Sequence, residues 1–410
     1  MTLTFAAPRG LGGVMTPPPD KSITHRVLML AAVANGASVV DDPLDTGDCR
    51  STRACLEALG VSIREQRLSL PGAGSGRAES LRLVIEGRGL RGLAEPIRVL
   101  DAGNSGTTLR LLAGLLAGLP LFAVISGDQS LCSRPMLRVV EPLRAMGAEI
   151  QGRADGRLAP LVFLPGTGSL KAVEHLLPVA SAQLKGALMF AALRAQSSVS
   201  RDHSERLFRY LGLPLSVENG VMVCSPVSSV APFQVRVPGD VSSAAFFLAG
   251  ALLGRRELEV HGCGLNPTRT GFVDVLRRMG ARIEAQEGGS SGGEPVGSLR
   301  VLPGPLRSAE VLASEVPFLI DEIPLLAILG AKAEGETRVV GAEELRHKES
   351  DRLEATARLL AAVGGQVELR RDGFSVKGPQ RLQPGVVDSG GDHRLAMAGA
   401  VLAAAIPGGV

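Results

Sequence analysis

The sequence predicts an α/β protein of two similar domains, each built from three βαβαββ units. Three observations predict it. An apolar helix introduced by a knot of polar residues recurs six times along the chain. After the first five copies comes a second, amphipathic helix closed by a glycine. Turn signals then divide pairs of further strands, so each copy reads strand, buried helix, strand, amphipathic helix, hairpin.

The buried helices come first in each unit. They lie in "DKSITHRVLMLAAVANGASVV", "GNSGTTLRLLAGLLAGLPLFAVIS", "SAQLKGALMFAALRAQSSVS", "GDVSSAAFFLAGALLGRRELEVHG", "IDEIPLLAILGAKAEGETRVVG" and "GDHRLAMAGAVLAAAIPGGV", anchored at Lys21, Asn104, Ser181, Gly239, Asp321 and Asp392. A helix apolar on every side has no face to offer water, so it belongs inside a domain. The amphipathic helices follow in "STRACLEALGVSI", "VVEPLRAMGAEI", "ERLFRYLGLPLSV", "VDVLRRMGARIEA" and "ATARLLAAVGGQVEL". Gly60, Gly147, Gly212, Gly280 and Gly364 suit the left-handed position just past a helix end. The turns "ADG", "ENG" and "RDG" and the loops "PGAGSG" and "EGGSSGG" mark the hairpins.

Grouping the units in threes puts the chain crossing near Val235 to Asp240. The first lobe then spans 16–237 and the second 1–15 plus 238–410, with "LTFAAP" expected to lend the second lobe a strand. The sixth copy stops after its apolar helix, so the last unit is expected to be truncated.

Composition narrows the function. At 410 residues with 45% hydrophobic and 21% charged, the chain has material for two cores. Its 44 basic against 41 acidic side chains leave a charge of +3, too even for a nucleic-acid partner. Zero Trp and one Tyr leave few rings for base stacking. Five cysteines without a CxxC pair argue against a disulfide framework or a zinc site and suit reduced thiols in a cytoplasm. Neither a signal-peptide pattern nor an uninterrupted membrane-length span is present, so no membrane partner is expected.

Each polar knot sits at a helix N-terminus, where free N–H groups and the helix dipole attract anions. Gly103, Gly106 and Gly239 allow close backbone approach, while Ser22, Ser105, Thr107, Ser181 and Ser242 can cap or bind. The knots carry Lys21, Arg26, Arg110, Lys185 and Arg394, and further cations precede the second helices: Arg134, Arg201, Lys348 and Arg352. Asp321, Glu322 and Glu349 add carboxylates that can hold or move a proton. Two trios of such helix ends are expected to enclose an anion-binding cleft. No Walker A loop, Rossmann fingerprint, GxSxG or HxxxH spacing appears, and His25, His203 and His393 read as orienting or structural. The residues alone lead to chemistry on a polyanionic substrate without cofactor or metal, and they leave the reaction open.

The strings "DKSITHR", "LDAGNSGTTLRLLAG", "GDQSLCSRPM", "SAQLKGALMFAAL", "PGDVSSAAFFLAGALL", "IDEIPLLA", "ELRHKESDRL" and "GDHRLAMA" resemble the 5-enolpyruvylshikimate-3-phosphate synthase family, in order from residue 20 to 398. That resemblance implies an inside-out α/β barrel architecture of the enolpyruvyl-transferase type. It implies transfer of the carboxyvinyl group of phosphoenolpyruvate to the 5-hydroxyl of shikimate 3-phosphate, the sixth shikimate-pathway step, by a cytoplasmic monomer. Lys21, Ser22, Arg26, Ser181, Gln183, Arg201, Asp321 and Lys348 would meet shikimate 3-phosphate. Lys21, Asn104, Gly106, Arg134, Gln183, Arg352 and Arg394 would meet phosphoenolpyruvate. Asp321, Glu349 and Lys21 would be catalytic: Asp321 as base for the hydroxyl, Glu349 as proton donor to the methylene, and Lys21 on the leaving phosphate.

Relatives of that family usually run some twenty-odd residues further, with a final strand and helix. Its best-known glyphosate-tolerant members carry alanine where Gly106 stands, and a methyl there would crowd glyphosate more than the shorter phosphoenolpyruvate. Two rival readings remain. One is a UDP-N-acetylglucosamine enolpyruvyl transferase, which shares the architecture and usually carries a reactive loop cysteine. The other is a non-catalytic anion-binding scaffold.

Overall fold

All six apolar segments are helical in the computed structural model, which describes residues 11–69, 79–167, 170–171, 182–193, 202–218 and 221–406. They run over Lys21–Ala32, Gly106–Leu116, Ala182–Ala192, Val241–Leu253, Ile323–Lys332 and His393–Ala403. Nearly every residue of the first five is buried, as an all-round apolar surface requires. The amphipathic helices Gly47–Ala58, Leu137–Ala145, His203–Tyr210, Gly271–Arg278 and Arg352–Ala361 bury one face only.

The chain divides into two compact units. The first comprises Pro19–Pro238 with Ser290–Glu294; the second comprises Met1–Pro18, Gly239–Gly289 and Pro295–Val410. Each has its own apolar core, centred on three of the buried helices. In the first unit, Gly106–Leu116 and Ala182–Ala192 pack at backbone contact. A Cβ on Gly114 would lie 1.9 Å from the Ala187 carbonyl oxygen, so only glycine fits that crossing.

Among the described residues, four four-stranded sheets of one design accompany these helices. In the first unit the strand orders are Gln234–Arg236, Asn35–Asp41, Glu79–Arg88, Ser62–Ser69 and Leu100–Asp101, Ala123–Ser126, Leu158–Phe163, Ile150–Gly152. In the second they are Gly13–Met15, Leu258–Gly264, Glu294–Leu302, Arg282–Ser291 and Glu310–Val311, Gly335–Val339, Gly373–Gly378, Glu368–Arg370. The first pair of each sheet is parallel and the next pair is antiparallel; in two sheets the parallel strands are joined directly through a buried helix. Leu215–Glu218 and Val221–Cys224 form a further antiparallel pair.

One exchange departs from a plain repeat. The strand Gly13–Met15 precedes the Lys21 helix in sequence, yet pairs with Leu258–Val260 in the second unit. Conversely Gln234–Arg236, which precedes the Val241 helix, pairs with Val39–Asp41 in the first. The stretch "LTFAAP", expected to lend a strand, lies outside the described residues, as do "PGAGSG" and the last two residues of "ENG".

The helix ends follow their chemistry. Gly60, Gly147, Gly212 and Gly280 directly follow the C-cap residues with φ between +67° and +96°; Gly364, φ +77°, stands one residue further on. At the N-termini, Ser105 caps as expected, accepting from Thr108 N at 3.1 Å. Elsewhere the caps are aspartates: Asp20 accepts from Ile23 N, Asp240 from Ser242 N and Asp392 from Arg394 N. Ser22 and Ser242 fall one position inside the first turn, where a side chain no longer reaches the free N–H groups.

Candidate active site

In the first unit, Asp20 caps the Lys21 helix and leaves Lys21 at its mouth. The Lys21 ammonium lies 3.0 Å from Asp48 Oδ2, in the first turn of the Gly47–Ala58 helix, and about a third of it is exposed. One turn on, Arg26 is buried and donates to Ser204 Oγ at 2.8 Å, Ser22 O at 2.8 Å and Ala182 O at 3.1 Å. Gln183, next in the chain, accepts from Arg110 at 2.6 Å and donates to Thr107 Oγ1 at 3.1 Å. Ser22, Arg26 and Gln183 therefore form one connected group.

A second group forms at the Gly106 helix. Arg134 donates to Asn104 Oδ1 at 2.6 Å, while Asn104 donates to Asp128 at 2.6 Å. Arg134 forms no ion pair among the described residues. A Cβ at Gly106 would stand 2.6 Å from Arg110 Nη1 and 3.4 Å from Arg134 Nη1. The Gly106 backbone at that helix start therefore stands beside two guanidinium groups, an arrangement suited to a carboxylate or phosphate. Ser181 and Arg201 lie outside the described residues.

Lys185 was expected among the anion-binding cations. The structure places it elsewhere: it is fully buried, paired with buried Glu205, and its ammonium is pulled down to about 7 chiefly by that burial. A lysine so enclosed joins two helices and has no surface to offer a ligand.

In the second unit the reactive groups converge on Arg352, which opens the Arg352–Ala361 helix and is 1% exposed. Its Nε donates to Asp392 Oδ2 at 2.9 Å, one Nη to Asp321 Oδ1 at 2.9 Å and the other to Glu349 Oε2 at 2.5 Å. Asp321 sits in the short turn Ile320–Glu322 that leads into the Ile323 helix, where Pro324 suits a first turn lacking N–H partners. Arg394 lies 3.8 Å from Asp321 Oδ1, 3.6 Å from Glu322 Oε1, and donates to Ser242 Oγ at 2.9 Å. Ser242 in turn donates to Glu322.

Burial alone would raise the Asp321 carboxyl, but Arg394, Lys348, Arg352 and Arg269 outweigh it and hold it well below the usual carboxylate range. Asp392 is likewise buried yet lowered, through its bond to Arg352. Asp321, Glu349, Arg352 and Arg394 are thus brought together. Lys348 is apart from them in its bonding, since its ammonium meets Glu344 at 3.2 Å. Among the described residues no three His, Cys, Asp or Glu side chains are placed to hold a metal ion.

Several participants have bonding partners that the sequence does not show. Asp48 and Thr52 lie in "DTGDCRST", which matches no motif; Asp392, Ser242 and Glu322 were visible as knot residues, and only tertiary contact shows what they bond. An Asp at the start of each "GD" knot was the available signal for the caps.

Each unit thus carries cation-bearing helix ends on an α/β frame, and the second adds carboxylates poised on arginine. The class is a two-domain α/β enzyme for anionic substrates. The family model for EPSP synthase (3-phosphoshikimate 1-carboxyvinyltransferase) matches residues 6–410, and the chain belongs to that family. The 3-phosphoshikimate 1-carboxyvinyltransferase of Desulforudis audaxviator is 44% identical over 409 residues, covering 98% of this chain and 92% of its own. That of Synechococcus sp. is 47% identical over 417 residues, covering 99% and 91%. The solved EPSP synthase from Acinetobacter baumannii matches with a TM-score of 0.83 at 34% identity, over 97% of this chain and 90% of that one. No helix among the described residues is long and apolar enough to cross a membrane.

Proposed function

We infer that this chain transfers the carboxyvinyl group of phosphoenolpyruvate to the 5-hydroxyl of shikimate 3-phosphate, releasing phosphate. Family membership supports the reaction, and the observation that carries the chemistry is the Asp321–Arg352–Glu349 cluster, two carboxylates held by one buried guanidinium.

In this reading Asp321 takes the proton of the 5-hydroxyl as its oxygen bonds to C2 of phosphoenolpyruvate. Glu349 delivers a proton to the methylene carbon, giving a tetrahedral adduct. Glu349 then removes a proton from the new methyl group as phosphate departs, its charge met by Lys21. Arg134, Arg352 and Arg394, with the Gly106 helix start, hold phosphoenolpyruvate; Ser22, Arg26, Gln183, Ser181, Arg201 and Lys348 hold shikimate 3-phosphate.

The low Asp321 pKa has a use here. A carboxylate so stabilised is a weak base while Arg394 and Arg352 face it alone. A substrate carboxylate that engages those arginines offsets part of their charge, so Asp321 gains basicity as the complex forms. General acid–base help of this kind contributes about 10²–10⁴-fold.

The same reading gives a cytoplasmic monomer acting on small molecules, without cofactor. The test is phosphate release with shikimate 3-phosphate and phosphoenolpyruvate, set against UDP-N-acetylglucosamine and phosphoenolpyruvate. Turnover of the first pair alone is expected; turnover of the second, or of neither, rejects the assignment.

A further inference from the structure

We propose that His25 is a positioning residue for the phosphoenolpyruvate side of the site, tying the Lys21 helix to the cap of the Gly106 helix through the hydroxyls of Thr52 and Thr108. The proposal rests on the binding roles assigned above.

The two helices that carry His25 and Thr108 are largely apolar, and Val27, Leu28, Leu109 and Leu112 on them are fully buried. His25, Thr52, Thr108 and Ser105 are buried as completely and form an unbroken polar run. His25 Nδ1 and Thr52 Oγ1 are 2.7 Å apart, Thr52 Oγ1 and Thr108 Oγ1 2.7 Å, and Thr108 Oγ1 and Ser105 Oγ 2.7 Å. At the far end Cys49 Sγ lies 3.8 Å from His25 Nε2. Burying polar side chains costs free energy unless each is bonded, so such a run specifies geometry rather than adding bulk stability.

What it specifies is the spacing of three helix starts. His25 lies in the second turn of the Lys21 helix. Thr52 belongs to the helix whose Asp48 holds the Lys21 ammonium. Thr108 also reaches the Asp48 carbonyl at 3.2 Å, and Ser105 is the N-cap between Asn104 and Gly106. One run thereby fixes both the counter-ion of Lys21 and the N–H groups beside Gly106. Burial holds the imidazole near pKa 3, so it serves as a neutral spacer at pH 7.

An asparagine amide can stand where Nδ1 stands; leucine and valine can fill the volume but cannot bond. The experiment compares the wild type with His25→Asn, His25→Leu and Thr52→Val. Two readouts are taken: KM for each substrate, and phosphoenolpyruvate affinity followed at the Gly106 amide by NMR with shikimate 3-phosphate present. His25→Leu and Thr52→Val are expected to weaken phosphoenolpyruvate by about tenfold in both readouts, with KM for shikimate 3-phosphate within about twofold. His25→Asn is expected to recover most of the loss. Equal movement of both KM values, a fall in melting temperature alone, or no phosphoenolpyruvate signal at Gly106 in the wild type overturns the inference. A wild type that binds at Gly106 but releases no phosphate overturns the assigned reaction and leaves the positioning role supported by the binding data.

Discussion

The two units satisfy the arginines near their helix ends in opposite ways. In the first, Arg26 and Arg134 donate to serine hydroxyls, an asparagine amide and backbone carbonyls. In the second, Arg352 is ringed by Asp321, Glu349 and Asp392, and Arg394 has two carboxylates within 4 Å. A guanidinium held by dipoles keeps its attraction for an incoming anion. One held by three carboxylates keeps those acids ionised and close, and an incoming anion must share it with them. The first unit therefore meets these arginines with dipoles, and the second meets them with carboxylates that they keep ionised.

Removing one arginine from each unit tests this most severely. Arg352→Met leaves three buried or half-buried carboxylates facing one another, at a cost of about 3–5 kcal/mol in stability. Activity should fall by about 10²–10³-fold or more. Arg134→Met strands no carboxylate, so its loss should appear in the KM for phosphoenolpyruvate, with stability changed by about 1 kcal/mol or less. Urea unfolding and steady-state kinetics on both variants decide. Equal destabilisation would erase the contrast.

Acid provides the next test. His25 has its folded pKa depressed to about 3 from 6.5, so between those values the unfolded chain binds more protons than the folded one. The first unit should lose stability as pH falls from 6.5 toward 3, by up to about 1.4 kcal/mol per pH unit. Asp321 and Asp392 are depressed carboxylates, so their contribution stays whole above about pH 3.8 and is lost only below it. Hydrogen exchange at pH 7, 5 and 4 should show the Lys21 helix losing protection before the His393 helix. His25→Asn should remove most of that difference. Simultaneous loss in the wild type would break the comparison.

This contrast was invisible in the sequence, and the reason is physical. The repeat could be seen because helices apolar on every side and glycine stops are local patterns, and four of the six knots carry a basic side chain near their start. Which side chain neutralises that cation depends on contacts over tens of residues: Lys185 with Glu205, Arg352 with Asp392, Lys21 with Asp48. Of the serines able to cap or bind, Ser105 caps while Ser22 and Ser242 do not, because aspartate and serine compete for the same N–H groups and a shift of two residues decides between them. The exchange of strands Gly13–Met15 and Gln234–Arg236 was half visible, from the chain crossing alone. A short strand carries no mark of which sheet it joins. The roles of Asp321 and Glu349 came from resemblance, since a carboxylate beside a cation reads alike whether it catalyses or caps.

The finest probe changes charge without changing shape. Asp20 and Asp392 occupy the same place in their helices, each accepting a first-turn N–H at 2.9 Å. Asparagine caps a helix about as well as aspartate, so the substitution keeps the cap and removes only the carboxylate charge. Asp20→Asn keeps the cap and should therefore shift stability less than Asp392→Asn does. Asp392 accepts in addition from Arg352 Nε at 2.9 Å and from Ser350 Oγ at 3.0 Å. Losing a charged acceptor there should cost about 1.5–3 kcal/mol and loosen the arginine that holds Asp321 and Glu349. Thermal melts measure the first effect and kcat the second. If both substitutions prove equally mild, the carboxylate ring around Arg352 is a by-product of capping, and the division of labour between the units must rest on Asp321 and Glu349 alone.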